Sequence, residues 1–249
     1  MPRLADKFAL ITGGTSGIGL ETARQFLAEG ATVAITGRNA DALARAAADL
    51  GERVVCLQSD AGDVAAQPLL AQALATLWPR LDVLLINAAD VTHRPLEEWD
   101  EAAWDRLMAT NLKGPFFLVQ SLLPLLHAPA SVILCGSVSA HIGLPQSGPY
   151  AASKAGLLSL SRTLSGELLA RGIRVNSLSP GPTQTPALEK LGLDGAAYAA
   201  LLAQIKQLVP LGRLGTPLEL AKAAVYLASD ESAFVVGSEL IVDGGVSGL

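Results

Sequence analysis

The sequence predicts an α/β fold: a doubly wound, parallel, seven-stranded sheet with helices on both faces. Three observations carry this. Short β-rich apolar runs alternate with longer Ala/Leu-rich segments of helical period along the 249 residues. The runs, such as VLLI at 83–86 and SVILC at 131–135, are continuous rather than alternating, as strands buried on two faces require. The chain is 50% hydrophobic and only 16% charged, enough for one core-rich domain spanning 1–249.

The elements follow in order. The first strand, 8–12, runs into a glycine loop and a helix over 17–29. The second, 32–36, ends in TGRN before an Ala-rich helix at 40–50. The third, 53–58, leads to a helix over 64–78, with Asp63 placed to cap it. A fourth strand, 82–87, precedes a stretch read as one long helix, 98–127, and the fifth strand is 131–135. A helix over 150–171 and a sixth strand, 173–178, come next. The segment 180–216 is longer than an ordinary strand-to-helix connection and carries helical patterning at 195–208. Insertions after a strand of such a sheet cover the ligand crevice, so 183–213 is read as a lid. A helix at 217–228 and a seventh strand at 239–242 complete the pattern.

Charge and motif content narrow the function. The net charge is −5 and the basic residues are dispersed, which argues against nucleic acid or an anionic membrane as partner. Cys56 and Cys135 sit in separate apolar runs without metal-ligand spacing, as reduced small hydrophobes would. The first apolar run is too brief for a secretion signal, and 115–135 is interrupted by Gln120, Ser121, Pro124 and His127, so a cytoplasmic setting is expected. The three histidines are scattered, and no metal is expected.

Two constellations carry chemistry. In ITGGTSGIGLETARQFLAEGATVAITGR, a strand, a glycine loop, a helix and a second strand follow one another. Gly13, Gly17 and Gly19 let the backbone turn tightly and approach a pyrophosphate, whose charge meets the helix N-terminus near Ile18. Farther on, GSVSAHIGLPQSGPYAASKAG places Tyr150 and Lys154 four apart, on one face of a helix. A phenol ordinarily titrates near ~10 and is a poor base at neutral pH unless a cation stands beside it. Neither Tyr198 nor Tyr226 has a lysine four residues on. Ser137 and Ser139 both lie just past a strand's carboxyl end, where ligands sit in open sheets.

With TGGTSGIG at 12–19, SDAGD at 59–63, NAA at 87–89, TNLKGPF at 110–116, Ser137 with Tyr150 and Lys154, SPGPTQT at 179–185 and PLGRLGTP at 210–217, the chain resembles the short-chain dehydrogenase/reductase family over essentially its whole length. The resemblance implies a Rossmann-like domain that transfers hydride between a nicotinamide cofactor and a carbonyl or alcohol. It implies that Ser137, thirteen residues before the tyrosine, orients the substrate oxygen, Tyr150 passes the proton, Lys154 assists it and grips the nicotinamide ribose, and Asn111 belongs to the proton relay. Asp60 would accept from the adenine, with backbone contact at Ala61; Asn87, Ala88 and Ala89 would line the adenosine ribose, Ala89 departing from the family's glycine. Pro180 and Gly181 would shape the turn beside the nicotinamide, and Thr183 and Thr185 would bind its carboxamide and a phosphate. Gly136 departs from the second serine common in relatives.

Gly37 stands where NAD-using members carry aspartate and Arg38 where NADP-using members carry a basic residue, so NADP(H) is the expected cofactor, with NAD(H) use the alternative. Thr15, Ser16 and Asn39 add donors for the 2′-phosphate. The apolar lid, with Leu188 and Tyr198, favours an uncharged, fairly hydrophobic small-molecule ketone or secondary alcohol, and His93, Ser139, His141 and Gln146 are further candidates for contact with it. The alternatives are a 3-oxoacyl-thioester reductase and, from another class, a cofactor-sensing regulator without turnover; a serine hydrolase is excluded by the lack of a GxSxG elbow. Relatives with this C-terminal form are commonly homotetramers, and one is expected here.

Overall fold

The structure is a computed structural model that describes residues 2–186 and 195–249. Its strands are β1 (Phe8–Thr12), β2 (Thr32–Gly37), β3 (Val54–Gln58), β4 (Leu81–Ile86), β5 (Leu126–Cys135), β6 (Ile173–Pro180) and β7 (Glu239–Val242). All pair in parallel in the order β3-β2-β1-β4-β5-β6-β7. Strand order reverses between β1 and β4, so a crevice opens beyond their carboxyl ends.

Side-chain alternation along these apolar strands feeds two cores. On one face Ile11, Ile35, Leu85 and Ile133 pack with Phe26 and Leu27 of helix α1 (Gly17–Ala28) and with Leu220 and Val225 of the helix Pro217–Ala228. On the other, Leu10, Leu84, Val132 and Val175 meet Leu74 of α3 (Gln67–Leu77), Leu122 of α5 (Gly114–Leu122) and Leu157 of α6 (Gly148–Leu168). α2 (Ala40–Leu50) begins at Asn39, whose side chain accepts from the Ala42 amide. Asp63 caps the turn before α3, as expected, by accepting from the amides of Ala65 and Ala66.

One predicted element is corrected. The stretch 98–127 is not a single helix: α4 (Glu101–Met108) passes into a π-helical turn, Ala109–Lys113, and then α5 ends at Leu122. Leu126 and His127 belong to β5, which is longer than 131–135 because Leu81 pairs with Leu126 ahead of a register shift. Pro129 falls at that irregularity, where the lack of an amide hydrogen costs no ladder bond.

Candidate active site

The crevice is built around the end of β1. The Gly13 backbone is left-handed (φ +65°), and an added Cβ would stand 2.9 Å from Ala88 Cα. At Gly19 an added Cβ would stand 2.2 Å from the Gly13 carbonyl oxygen and 2.6 Å from Asn87 Nδ2. The bare backbone therefore forms a cradle that no side chain fills. Ser16, at the N-cap of α1, makes no side-chain capping bond, and the helix's first turn holds no acid. Its amides and positive dipole end are open to an anion, so these residues fit a dinucleotide pyrophosphate.

A cavity of about 630 Å³ extends from this cradle, lined by Gly13, Thr15, Ser16, Gly17, Ile18, Gly37, Arg38, Asp60, Ala61, Asn87, Ala88, Ala89 and Thr185. Thr185 approaches the loop: a Cβ at Gly17 would lie 3.4 Å from it. The cavity also meets Asp90, Val91, Thr92 and Thr110, which the sequence reading did not single out. The only available signal was the position of Asp90, Val91 and Thr92 just after the NAA motif and of Thr110 as the first residue of TNLKGPF. Gly19, Asn39, Tyr150, Lys154, Pro180, Gly181 and Thr183 are not in the lining; the Thr183 hydroxyl donates to the Gly181 carbonyl, and Asn39 spends its oxygen on capping α2. Asp60 accepts from the Gly62 amide at 2.9 Å through Oδ1. A Cβ at Gly37 would lie 2.7 Å from Thr15 Cγ2, so the strand end is matched to that threonine. Ala89 keeps a negative φ, and the departure from glycine there brings no left-handed strain.

A chain of hydrogen bonds joins the cradle to α6. Thr12 Oγ1 accepts from the amides of Asn87 and Ala88, both at 3.0 Å, while Asn87 Nδ2 donates to the carbonyls of Thr12 and Gly13. Three residues on, the Asp90 amide donates to Asn111 Oδ1 at 2.7 Å and Asn111 Nδ2 donates back to the Asp90 carbonyl at 2.8 Å. Asn111 sits on the π-helical turn, 1% exposed, and also donates to Ser153 Oγ, which donates to the Tyr150 carbonyl. A π turn adds a residue to the helical circuit and recurs at functional sites. Here it sets the asparagine between the Asp90 loop and Ser153 of α6.

Tyr150, half-buried, and Lys154, 3% exposed, lie on the first turns of α6 as their spacing predicts. Lys154 Nζ donates to the Cys135 carbonyl at 2.7 Å and stands 5.7 Å from the Tyr150 ring centroid. No carboxylate among the described residues pairs with it, so its charge is directed at the tyrosine and the strand tip. Burial raises the Cys135 thiol, with Lys154 opposing, so the sulfur stays protonated. Ser137, at the β5 tip, is 7% exposed and accepts from the Ser139 amide at 3.2 Å. At Gly136 a Cβ would stand 2.3 Å from Ser179 Oγ, and that hydroxyl donates to Glu239. Ser179 thus occupies the room a second tip serine would need, which accounts for the glycine.

The substrate-side candidates separate. His141 Nε2 is 2.8 Å from Glu239 Oε1. Gln146 is exposed, with φ +67°, and its carbonyl accepts from the Arg94 amide. Tyr198, half-buried on the helix Gly195–Leu208, does not line the cavity, and Leu188 falls outside the described residues. Of these candidates, His93 stands beside Tyr150, 5.3 Å between ring centroids. Among the described residues no three His, Cys, Asp or Glu side chains gather as metal ligands, and no helix is long and apolar enough to cross a membrane.

Comparison with known proteins agrees in extent. A family model described as enoyl-(acyl carrier protein) reductase matches residues 13–247. The chain is 37% identical to the 3-oxoacyl-[acyl-carrier-protein] reductase FabG of Thermotoga maritima, over 98% of this chain and 99% of that protein. It is 36% identical to the NADP-dependent (R)-specific alcohol dehydrogenase of Lentilactobacillus kefiri, over 98% and 97% respectively. A solved structure titled short chain dehydrogenase/reductase family protein superposes with a TM-score of 0.85 at 41% identity, covering 99% of this chain and all of that one.

Proposed function

Because the chain belongs to the short-chain dehydrogenase/reductase family of oxidoreductases, we propose that it interconverts a ketone and a secondary alcohol with NADP(H), through Ser137, Tyr150 and Lys154. The observation that carries this is the buried Lys154 ammonium beside Tyr150 on α6, tied through Ser153 and Asn111 to the Asp90 loop that lines the cavity. When bound, the nicotinamide supplies or accepts the hydride. Ser137 orients the substrate oxygen, Tyr150 delivers its phenolic proton to that oxygen, and Lys154 stabilises the phenolate left behind. Asn111 holds the Asp90 loop against α6 and belongs to the path by which the proton is replaced. A fairly hydrophobic, uncharged substrate fits the lid's apolar composition.

Arg38, exposed at the cavity wall, is the group that would pair with a 2′-phosphate, and the aspartate that holds the free ribose in NAD users would meet Thr15 Cγ2 here unless that side chain turned. NADP preference in the Lentilactobacillus relative supports the same reading. The test is steady-state kinetics with NADPH and NADH on a panel of ketones, aldehydes, sugars and an acetoacetyl thioester. NADPH is expected to give the higher kcat/KM, and Arg38→Ala to cut it roughly tenfold or more while sparing NADH. A tenfold NADH advantage in the wild type, about 1.4 kcal/mol the other way, would sink the cofactor assignment. The similarity to FabG favours a second reading, 3-oxoacyl-thioester reduction, which the thioester in the panel decides. Absence of turnover on every substrate would favour the regulator.

We also propose a cytoplasmic homotetramer: both cysteines are free thiols, and Phe116 of α5 and Ile241 of β7 remain exposed on the elements that would pair. Light scattering is expected to report four copies; a monomer would overturn it.

A further inference from the structure

His93 is not part of the Ser137, Tyr150, Lys154 set, yet it is the side chain whose ring packs on Tyr150, with centroids 5.3 Å apart and planes tilted by 59°. Its loop is held at both ends. Asp90, three residues before, exchanges two hydrogen bonds with Asn111, and Arg94, just after, donates its amide to the Gln146 carbonyl. Gln146 adopts a left-handed backbone (φ +67°), unusual for a residue with a Cβ, where its carbonyl closes this clasp.

The imidazole's tautomer follows from its neighbour. His93 Nδ1 lies 2.8 Å from Ser147 Oγ. Ser147 is 0% exposed, and among the described residues its hydroxyl hydrogen has no other acceptor. A buried hydroxyl left without an acceptor is costly, so Ser147 donates to Nδ1. Nδ1 is then bare and the ring proton sits on Nε2. Burial lowers the proton affinity of His93, with Asp90 opposing, which keeps the ring in this neutral form at pH 7. Nε2 has no partner among the described residues, and the residue is exposed beside Tyr150, one position past Thr92, which lines the cavity.

We propose that His93 is a specificity-determining residue: its Nε2–H donates a hydrogen bond to a second oxygen of the substrate, close along the chain from the carbonyl that Tyr150 serves. The substrate class is therefore an uncharged ketone bearing a nearby acceptor oxygen, such as an ester, thioester or hydroxyl group, rather than a plain alkyl ketone. This rests on the oxidoreductase reading above. Ser147 acts through His93 as a positioning residue, fixing the tautomer without touching substrate.

Two ketones of matched length separate the cases: ethyl acetoacetate, which has the second oxygens, and methyl pentyl ketone, which lacks them. The readout is the ratio of their kcat/KM values with NADPH. In His93→Phe, which keeps an aromatic ring but has no donor, the ratio is expected to fall about tenfold, chiefly through KM for the ester. His93→Gln, which retains an N–H donor, is expected to recover part of the loss. Ser147→Ala is expected to lower the ratio severalfold, because Nδ1 is then free to take the proton. Thermal unfolding reports whether each variant folds; should His93→Phe fail to fold, the ratios of His93→Gln and Ser147→Ala decide. An unchanged ratio, or equal losses on both ketones, overturns the assignment of His93 alone. If the wild type turns over neither ketone with NADPH or NADH, the ketone-reduction reading falls and this proposal falls with it.

Discussion

Tyr150→Phe is expected to lower the rate of ketone reduction by about 10²- to 10⁴-fold, the range removed with a positioned proton donor. Only the phenolic oxygen is deleted. The ring keeps its packing against His93, and the Ser153 bond goes to the Tyr150 carbonyl, so neither depends on the hydroxyl. The loss therefore falls on kcat rather than on folding, and thermal unfolding should be close to wild type. A variant that retained more than about a tenth of the wild-type rate would rule out Tyr150 as the proton donor.

Gly19→Ala is expected to disable the site from the other end. The added methyl would fall 2.2 Å from the Gly13 carbonyl oxygen and 2.6 Å from Asn87 Nδ2, so the glycine loop must shift and the Asn87 amide must turn aside. The first of these is backbone, which cannot swing aside as a flexible side chain does. Overpacking of this kind costs about 1–3 kcal/mol of stability, and a displaced loop no longer offers its amides to a pyrophosphate. Nucleotide affinity should drop by at least about tenfold, measured by fluorescence titration beside a thermal melt. Wild-type affinity and midpoint together would show that the cradle tolerates a side chain.

Where the sequence was legible, period and burial agreed. β1, α1 and the helices at 40–50, 195–208 and 217–228 lie where continuous apolar runs and helical spacing put them, because two-faced burial leaves a plain pattern. The stretch 98–127 was misread for a physical reason. A π turn keeps helical dihedrals, so Ala109–Lys113 has no signature of its own, and the extension of β5 back to Leu126 depends on pairing with Leu81, which no local pattern records. At the site, glycines and the Tyr150–Lys154 spacing are local signals. The Gly136–Ser179 fit and the Ser147–His93 bond are not, since only the sheet order and the crossing of two loops bring those residues together. Ser147 and Ser153, which no local pattern marks, anchor a ring and a relay.

The chain of bonds from Thr12 through Asn87 to the glycine loop, and from Asp90 through Asn111 and Ser153 to Tyr150, bears on the energetics of binding. Every partner in it is supplied by the polypeptide, so the entropy of immobilising the loop and the tyrosine backbone is met when the chain folds. Little ordering of these groups is left for the encounter with a ligand, and the contacts made then are returned as affinity rather than consumed in arranging the receptor.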